Sequence, residues 1–295
     1  MKTWIRRGIW TLGGIVVAAA AAAAVMVGLG ERKLDRRIEV AVAPVALRSD
    51  AAGIERGRYL FMSRGCGECH GANGAGRVML DKDGMFVRSA NITPQPGSAV
   101  DGYTPTDWVR TIRHGVKRDR RAVMIMPSED YNRLVDADVA ALIAFASRLS
   151  PVPGPAAEVR LPLPVKALYG VGAIHDASEK IDHSLPPAQP VPEGVTDAHG
   201  AYVANSCLGC HGPRLLGGKI PGGPPDWPPA ARLAPGPGSA LDRYPTAEQF
   251  AAMLKTGKRP DGSEVSKVMP FESLREMSEV DVRALYLHLK SMPAS

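Results

Sequence analysis

The sequence predicts an all-α protein: two copies of one small, loop-rich domain behind an apolar N-terminal helix. Three observations lead there. The stretch "GCGECHG" (65–71) returns as "SCLGCHG" (206–212), and together they hold all four cysteines of the 295-residue chain. A shift of 141 residues that aligns them also lays "PQPGSAVDGY" (94–103) on "PGPGSALDRY" (235–244). Alternating strand patterns are scarce, while apolar residues recur at helical spacing before and after each cysteine motif.

The first element is "GIWTLGGIVVAAAAAAAVMVGLG" (8–30), 23 residues without a charge. About 20 apolar residues suffice to cross a bilayer as a helix. The run is long for the core of a cleaved signal, so an uncleaved membrane anchor (1–30) is the favoured reading, with a removed signal peptide as the alternative. Lys2, Arg6 and Arg7 precede it and Arg32, Lys33, Arg36 and Arg37 follow, so flanking charge does not set its orientation.

Net charge is +6, made of +4 in residues 1–54 (8 basic, 4 acidic), +3 in 55–151 (14, 11), −1 in 152–192 (3, 4) and 0 in 193–295 (11, 11). The largest excess flanks the apolar run. That argues against nucleic acid as a partner, because a nucleic-acid binder concentrates basic residues on a folded reading element.

Residues 31–54 form a juxtamembrane linker, and the repeated copies follow at 55–150 and 195–295. At a shift of 142, Trp108 meets Phe250 and Gly115 meets Gly257. At 143, Met126-Pro127 meets Met269-Pro270, Asp138 meets Asp281 and Leu142 meets Leu285. Matches in one order over a hundred residues mark a tandem duplication. Between the copies, the 151–194 segment has nine prolines within 151–192 and reads as a stiff, partly extended linker. Each copy predicts a helix into the cysteine motif, a long Gly/Pro loop, an amphipathic helix ("TPTDWVRTIRHG"; "TAEQFAAMLKTG"), a Met-Pro loop and a final helix. Asp136, Asp138, Glu279 and Asp281 open the last helices, complementing the helix dipole. Aromatic content of 5% implies a thin core that something besides side chains fills.

Three readings of Cys-x-x-Cys-His compete. A zinc site wants a second ligand pair some 12–20 residues on, and none exists. A redox dithiol does not need the histidine and belongs in a βαβ pattern. Covalent haem attachment uses all three residues, two thiols and an axial imidazole, on one helix face. Two copies in register, using every cysteine, favour haem at Cys66, Cys69 and His70 and at Cys207, Cys210 and His211.

On these motifs, with "ANITP" (90–94), "IRHGV" (112–116), both Met-Pro pairs and the closing helices, each half resembles a class I cytochrome c. The whole is similar to the membrane-anchored dihaem cytochromes c of proteobacteria. The resemblance implies two covalently bound haem c groups and haem domains in the periplasm, anchored to the inner membrane through residues 8–30. It implies methionine as the second axial ligand from the loop before the last helix. Met126 and Met269 hold that place, with Met124 as the rival of Met126. Met79, Met85, Met253 and Met277 read as packing residues. His114 faces Thr256 in the second copy and is not expected to bind iron, nor are His175, His183, His199 and His288.

Other residues carry weaker expectations. Phe145 and Tyr286 are candidates to pack where Gly57/Tyr59 and Gly200/Tyr202 cross the last helices. Arg88, Tyr103 and Trp108 are candidates for haem propionates. The run "RHGVKRDRR" (113–121), with five basic residues, is a candidate docking face for an acidic partner. With no leftover cysteine, no disulfide is expected. Functionally the resemblance implies electron transfer from a periplasmic dehydrogenase to a terminal oxidase or other respiratory acceptor, without bond chemistry of its own. The alternatives are an obligate cytochrome subunit of a dehydrogenase complex and, less favoured, a dihaem peroxidase.

Overall fold

The structure is a computed structural model that describes residues 3–224 and 226–294. Helix α1 (Thr3–Leu34) is built from alanine, valine and leucine, and Arg32 and Lys33 in its last turn complement the helix dipole. Its 32 residues span about 48 Å at 1.5 Å per residue. Residues Arg7–Leu34 are apolar enough to cross a membrane, with mean hydropathy 2.3 in the defining window and none of that window buried in the protein.

An extended segment then leads to the first cluster of helices: α2 (Ala51–Ser63), the single-turn α3 (Cys66–His70), α4 (Pro105–His114), the short α5 (Ser128–Tyr131) and α6 (Asp136–Ala146). Helix α4 starts on a capping box, with Thr104 and Asp107 each accepting a backbone N–H of the other. Leu60, Phe61, Val109, Val139, Leu142 and Ile143 form the buried centre. The second cluster repeats this order with α8 (Asp197–Ala204), α9 (Leu208–His211), α10 (Ala247–Thr256), α11 (Phe271–Leu274) and α12 (Glu279–Ser291). Val203, Leu241, Leu254, Val282, Leu285 and Leu289 fill its centre.

The repetition extends to backbone hydrogen bonds. Val123 N–H donates to Gly115 O at 2.7 Å, and Val265 N–H to Gly257 O at 2.8 Å. The crossing of first and last helices recurs too. A Cβ at Gly57 would lie 2.0 Å from Ala141 O, and one at Gly200 would lie 2.0 Å from Ala284 O. Only glycine allows either approach. Phe145 lies beside Gly57, but the place beside Gly200 belongs to His288 rather than Tyr286. Tyr286 turns away, stacks on Phe250 at 5.6 Å and donates its hydroxyl to Tyr244 O.

Two features depart from the expected helices and loops. Strands β1 (Val78–Lys82) and β2 (Met85–Arg88) form a hairpin, joined by β3 (Glu158–Arg160) in an antiparallel sheet ordered β1-β2-β3. The hairpin turns at Asp83-Gly84, both at positive φ (52° and 77°), the Asp-Gly pairing that two-residue hairpin turns require. The proline-rich middle segment is also not simply extended. It carries β3, helix α7 (Leu163–Gly170) and a 3₁₀ turn at Ala177–Lys180. These elements hold the outer end of α1 through Lys33–Glu179 (2.9 Å) and Arg36–Asp176 (2.7 Å).

Candidate haem sites

In each half the cysteine motif ends a short helix, and the following glycine (Gly71, Gly212) leaves it at positive φ. The chain then loops back to hold the histidine. His70 Nδ1 lies 2.8 Å from Ala90 O, and His211 Nδ1 lies 2.7 Å from Ala231 O. A carbonyl only accepts, so Nδ1 carries the proton in both rings and Nε2 keeps its lone pair. This carbonyl partner is the kind that orients metal-binding imidazoles. Burial pushes both imidazoles below their ordinary pKa, outweighing the hydrogen bond, which favours the neutral form that can ligate. Burial also pushes the Cys66 thiol up to about 12 and that of Cys207 to about 11. All four thiols are free.

The Met-Pro pairs adopt one conformation. Ser128 N–H donates to Met126 O and Phe271 N–H to Met269 O, both at 2.9 Å, across Pro127 (φ −81°, ψ 67°) and Pro270 (φ −79°, ψ 67°). These are inverse γ-turns, whose negative central φ lies close to the value that the proline ring imposes. Met126 packs against the cluster that Cys66 also joins, and Met269 against the cluster of Cys207. Met124 is half-buried but does not join that packing. Two thiols, an imidazole with a free Nε2 and a thioether in each half form a donor set that fits haem c. Among the described residues, no group of three or more His, Cys, Asp or Glu is arranged to hold a bare metal ion, so the zinc reading gains no support.

The other candidates make contacts of their own, Tyr103 and Trp108 within the cluster that Cys66 and Met126 join and Met253 and Met277 within that of Cys207 and Met269. Met253 and Met277 are buried in the second core, while Met79 and Met85 lie in the hairpin. Tyr103 and Trp108 stack edge to face at 5.6 Å, and Arg88 pairs with Glu158 at 3.2 Å along the sheet. His114 meets His183 Nδ1 to Nδ1 at 3.0 Å; burial, then His183 and the nearby arginines, lower it to about 4. The basic run is engaged within the chain. Arg113 is buried on Leu134 O and Asp136, while Arg120 and Arg121 reach Glu39 and Asp35 of the juxtamembrane segment. These ion pairs offset part of the clustered charge, while the side chains of Lys117, Arg118, Arg120 and Arg121 stay 43%, 55%, 38% and 42% exposed.

Sequence reasoning missed the contact between the halves. The Tyr59 hydroxyl reaches the start of α12, donating to Asp281 (2.6 Å) and accepting from Ser278 N–H (3.1 Å). Reciprocally, the Tyr202 hydroxyl reaches the start of α6, donating to Asp138 (2.7 Å) and accepting from Val135 N–H (3.2 Å). Tyr59/Tyr202, Asp138/Asp281 and Val135/Ser278 all recur at a shift of 143, a periodicity visible in the sequence whose cross-pairing is not. The short helices after the Met-Pro turns also cross over. Ser273 Oγ donates to Glu68 of the first motif at 2.9 Å. Asp130 sits against Gly209 of the second motif, where a Cβ would lie 2.5 Å from its carboxylate. Burial, helped by Glu129, pushes the Asp130 carboxyl up to about 7.

Residues 52–145 match the family model described as cytochrome c oxidase, cbb3-type, subunit III. The chain is 27% identical over 280 residues (85% of this chain, 55% of the relative) to the fructose dehydrogenase cytochrome subunit of Gluconobacter japonicus. It is 28% identical over 277 residues (83% and 56%) to the cytochrome c subunit of the quinone alcohol dehydrogenase of Gluconobacter oxydans. It is also 26% identical over 272 residues (81% and 86%) to a diheme cytochrome c-type protein of Cereibacter sphaeroides. The chain spans little more than half the length of the two dehydrogenase subunits.

Proposed function

We propose that the chain is the electron-transferring cytochrome component of a membrane dehydrogenase complex, with one haem c in each half. The observation that carries this is the repetition of a complete donor set: Cys-x-x-Cys, a carbonyl-held histidine and a Met-Pro γ-turn, twice in one chain. Haem c bound there supplies a one-electron iron couple. Cys66 and Cys69, and Cys207 and Cys210, would fix the groups as thioethers. His70 and His211 would bind iron through Nε2, and Met126 and Met269 would supply a thioether ligand, a pairing that raises the potential relative to two histidines. Two protein ligands per iron suit electron passage, whereas peroxide chemistry needs an open position.

The relatives named as dehydrogenase cytochrome subunits favour a subunit of such a complex over a free-standing carrier. In this reading α1 is the membrane anchor and the helical halves stand on the periplasmic side. Electrons enter from a catalytic subunit bearing its own redox cofactor and leave to a respiratory acceptor such as a terminal oxidase. Affinity purification of the tagged chain from gently solubilised membranes of its own host tests this. A flavin-, molybdenum- or quinone-bearing dehydrogenase subunit in stoichiometric amount is the expected result. A chain that elutes alone, fully haem-loaded, would return the free-carrier reading.

A further inference from the structure

Helix α7 presents one entirely apolar face to solvent. At 100° per residue, Leu163, Ala167, Pro164 and Leu168, together with the capping residue Val171, fall within a sector about 140° wide. Leu163, Leu168 and Val171 are 63%, 44% and 50% exposed, and no charge interrupts the sector. Lone exposed leucines are ordinary, but a contiguous stripe marks a surface that meets something apolar.

The opposite side of α7 meets the membrane helix. A Cβ at Gly170 would lie 2.3 Å from Met26 O and 2.5 Å from Gly30 N, and one at Gly30 would lie 2.1 Å from Lys166 O. Two glycines therefore let the backbones touch. The contact falls on the last turns of the uncharged 8–30 run, not beyond it. Lys166 pairs with Glu31 (2.9 Å), Lys33 donates to Tyr169 O (3.1 Å), and the buried Tyr169 hydroxyl donates to Asp176 (2.6 Å), fixing α7 in this pose. On α1 at the same level, Val25 and Leu29 are exposed as well, at 62% and 43%.

We propose that α7 is a second membrane contact: a lipid-facing foot whose apolar stripe sits in the outer interface of the bilayer. The inference rests on reading α1 as a membrane helix, and the occupant follows from continuity with that surface. The stripe extends the apolar face of α1 at the depth where the span ends, and the charged groups lie on the other side of α7. A short helix with one apolar face beside an anchor suits an interfacial position. The foot would hold the helical halves at a fixed tilt over the membrane instead of letting them swing on residues 35–50.

The test is spin-label accessibility in the full-length, haem-loaded protein in phosphatidylcholine/phosphatidylglycerol vesicles. Haem attachment occupies the native thiols, so Leu163→Cys, Leu168→Cys, Val17→Cys and Ser184→Cys are each labelled alone. Labels at 163 and 168 should collide with oxygen several-fold more than with a water-soluble nickel chelate, as at 17, with the reverse at 184. Nickel-accessible labels at 163 and 168 beside a lipid-like label at 17 would overturn the foot alone. Labels at 163 and 168 shielded from both reagents would overturn it in favour of a protein partner. An aqueous label at 17, or its loss with a cleaved N-terminal segment, would overturn the anchor reading and the foot with it.

Discussion

Asp138 and Asp281 stand at the same position of the same helix in the two halves, and each accepts a hydrogen bond from the other half's tyrosine. Their cations differ. Asp138 is held by Arg56 of its own half, whose side chain is 27% exposed. Asp281 is fully buried and is held by Arg64 from the opposite half at 2.5 Å, with His199 at 2.8 Å in the place that Arg56 takes in the first half. The residue matching Arg64 is Asn205, which has no charge to offer Asp138. The two halves share the hydrogen-bond geometry, while the buried ion pair between them lies on one side only. A buried pair of this kind contributes little relative to apolar packing, yet leaves an uncompensated charge when broken. Losing one partner is therefore costly even though the pair itself adds little.

The comparison predicts unequal responses to equal changes. The largest effect tests where the halves should agree: Cys66→Ala/Cys69→Ala and Cys207→Ala/Cys210→Ala should each lower covalent haem from two per chain to one, read by haemochrome absorbance against protein mass. A pair that leaves two haems would break the equivalence. Next, Asp281→Asn should cost about 3–5 kcal/mol in denaturant unfolding because it strands Arg64 in the interior. Asp138→Asn should cost only about 1 kcal/mol, because water screens Arg56. Equal losses would show that exposure does not distinguish the two pairs.

Acid sharpens the difference. Burial alone would raise the Asp281 carboxyl, but the Arg64 charge and the hydrogen bonds from Tyr59, Arg64 and His199 outweigh it and hold the carboxyl below its ordinary value of 3.8. Its stabilisation is present above that ordinary value and is lost as pH falls through the depressed one. His114, whose counterpart is Thr256, acts at milder pH. Its imidazole is lowered from 6.5 to about 4 by burial, then His183 and arginines, so protons bind the unfolded chain first. Stability should fall as pH drops from 6.5 towards 4. His114→Gln should flatten melting temperature over that window. The smallest effect is a symmetric one: Tyr59→Phe and Tyr202→Phe should each cost about 1 kcal/mol, the worth of one hydrogen bond. A clear inequality would mean the reciprocal contacts are not equivalent.

How much was legible in the sequence depends on the distance over which each feature acts. The turn of α4 and the Met-Pro γ-turns are written in adjacent residues, Thr104 to Asp107 and Met126-Pro127, so local chemistry reveals them. The β1-β2 hairpin carries a local signal in Asp83-Gly84, although the expectation for this region is a long Gly/Pro loop. Strand β3 was not readable, because Glu158–Arg160 is a strand only by pairing with β2, seventy residues earlier. The carbonyl partners of His70 and His211 lie twenty residues downstream at alanines, whose side chains announce nothing. Tyr59 and Tyr202 resembled ordinary helix-crossing residues, and only the folded chain shows their hydroxyls reaching the opposite half. The basic run at 113–121 pointed outward in the sequence, while Asp35, Glu39 and Asp136 claim part of its charge in the fold.

The proposed function needs a haem iron bound by both histidine and methionine in each half. The weak near-infrared absorption of a methionine–iron bond in the oxidised protein, measured per haem in wild type, Met126→Ala and Met269→Ala, tests it most directly. Full intensity in the wild type and half in each variant is the predicted result. Half intensity in the wild type, or a variant that changes nothing, would contradict it.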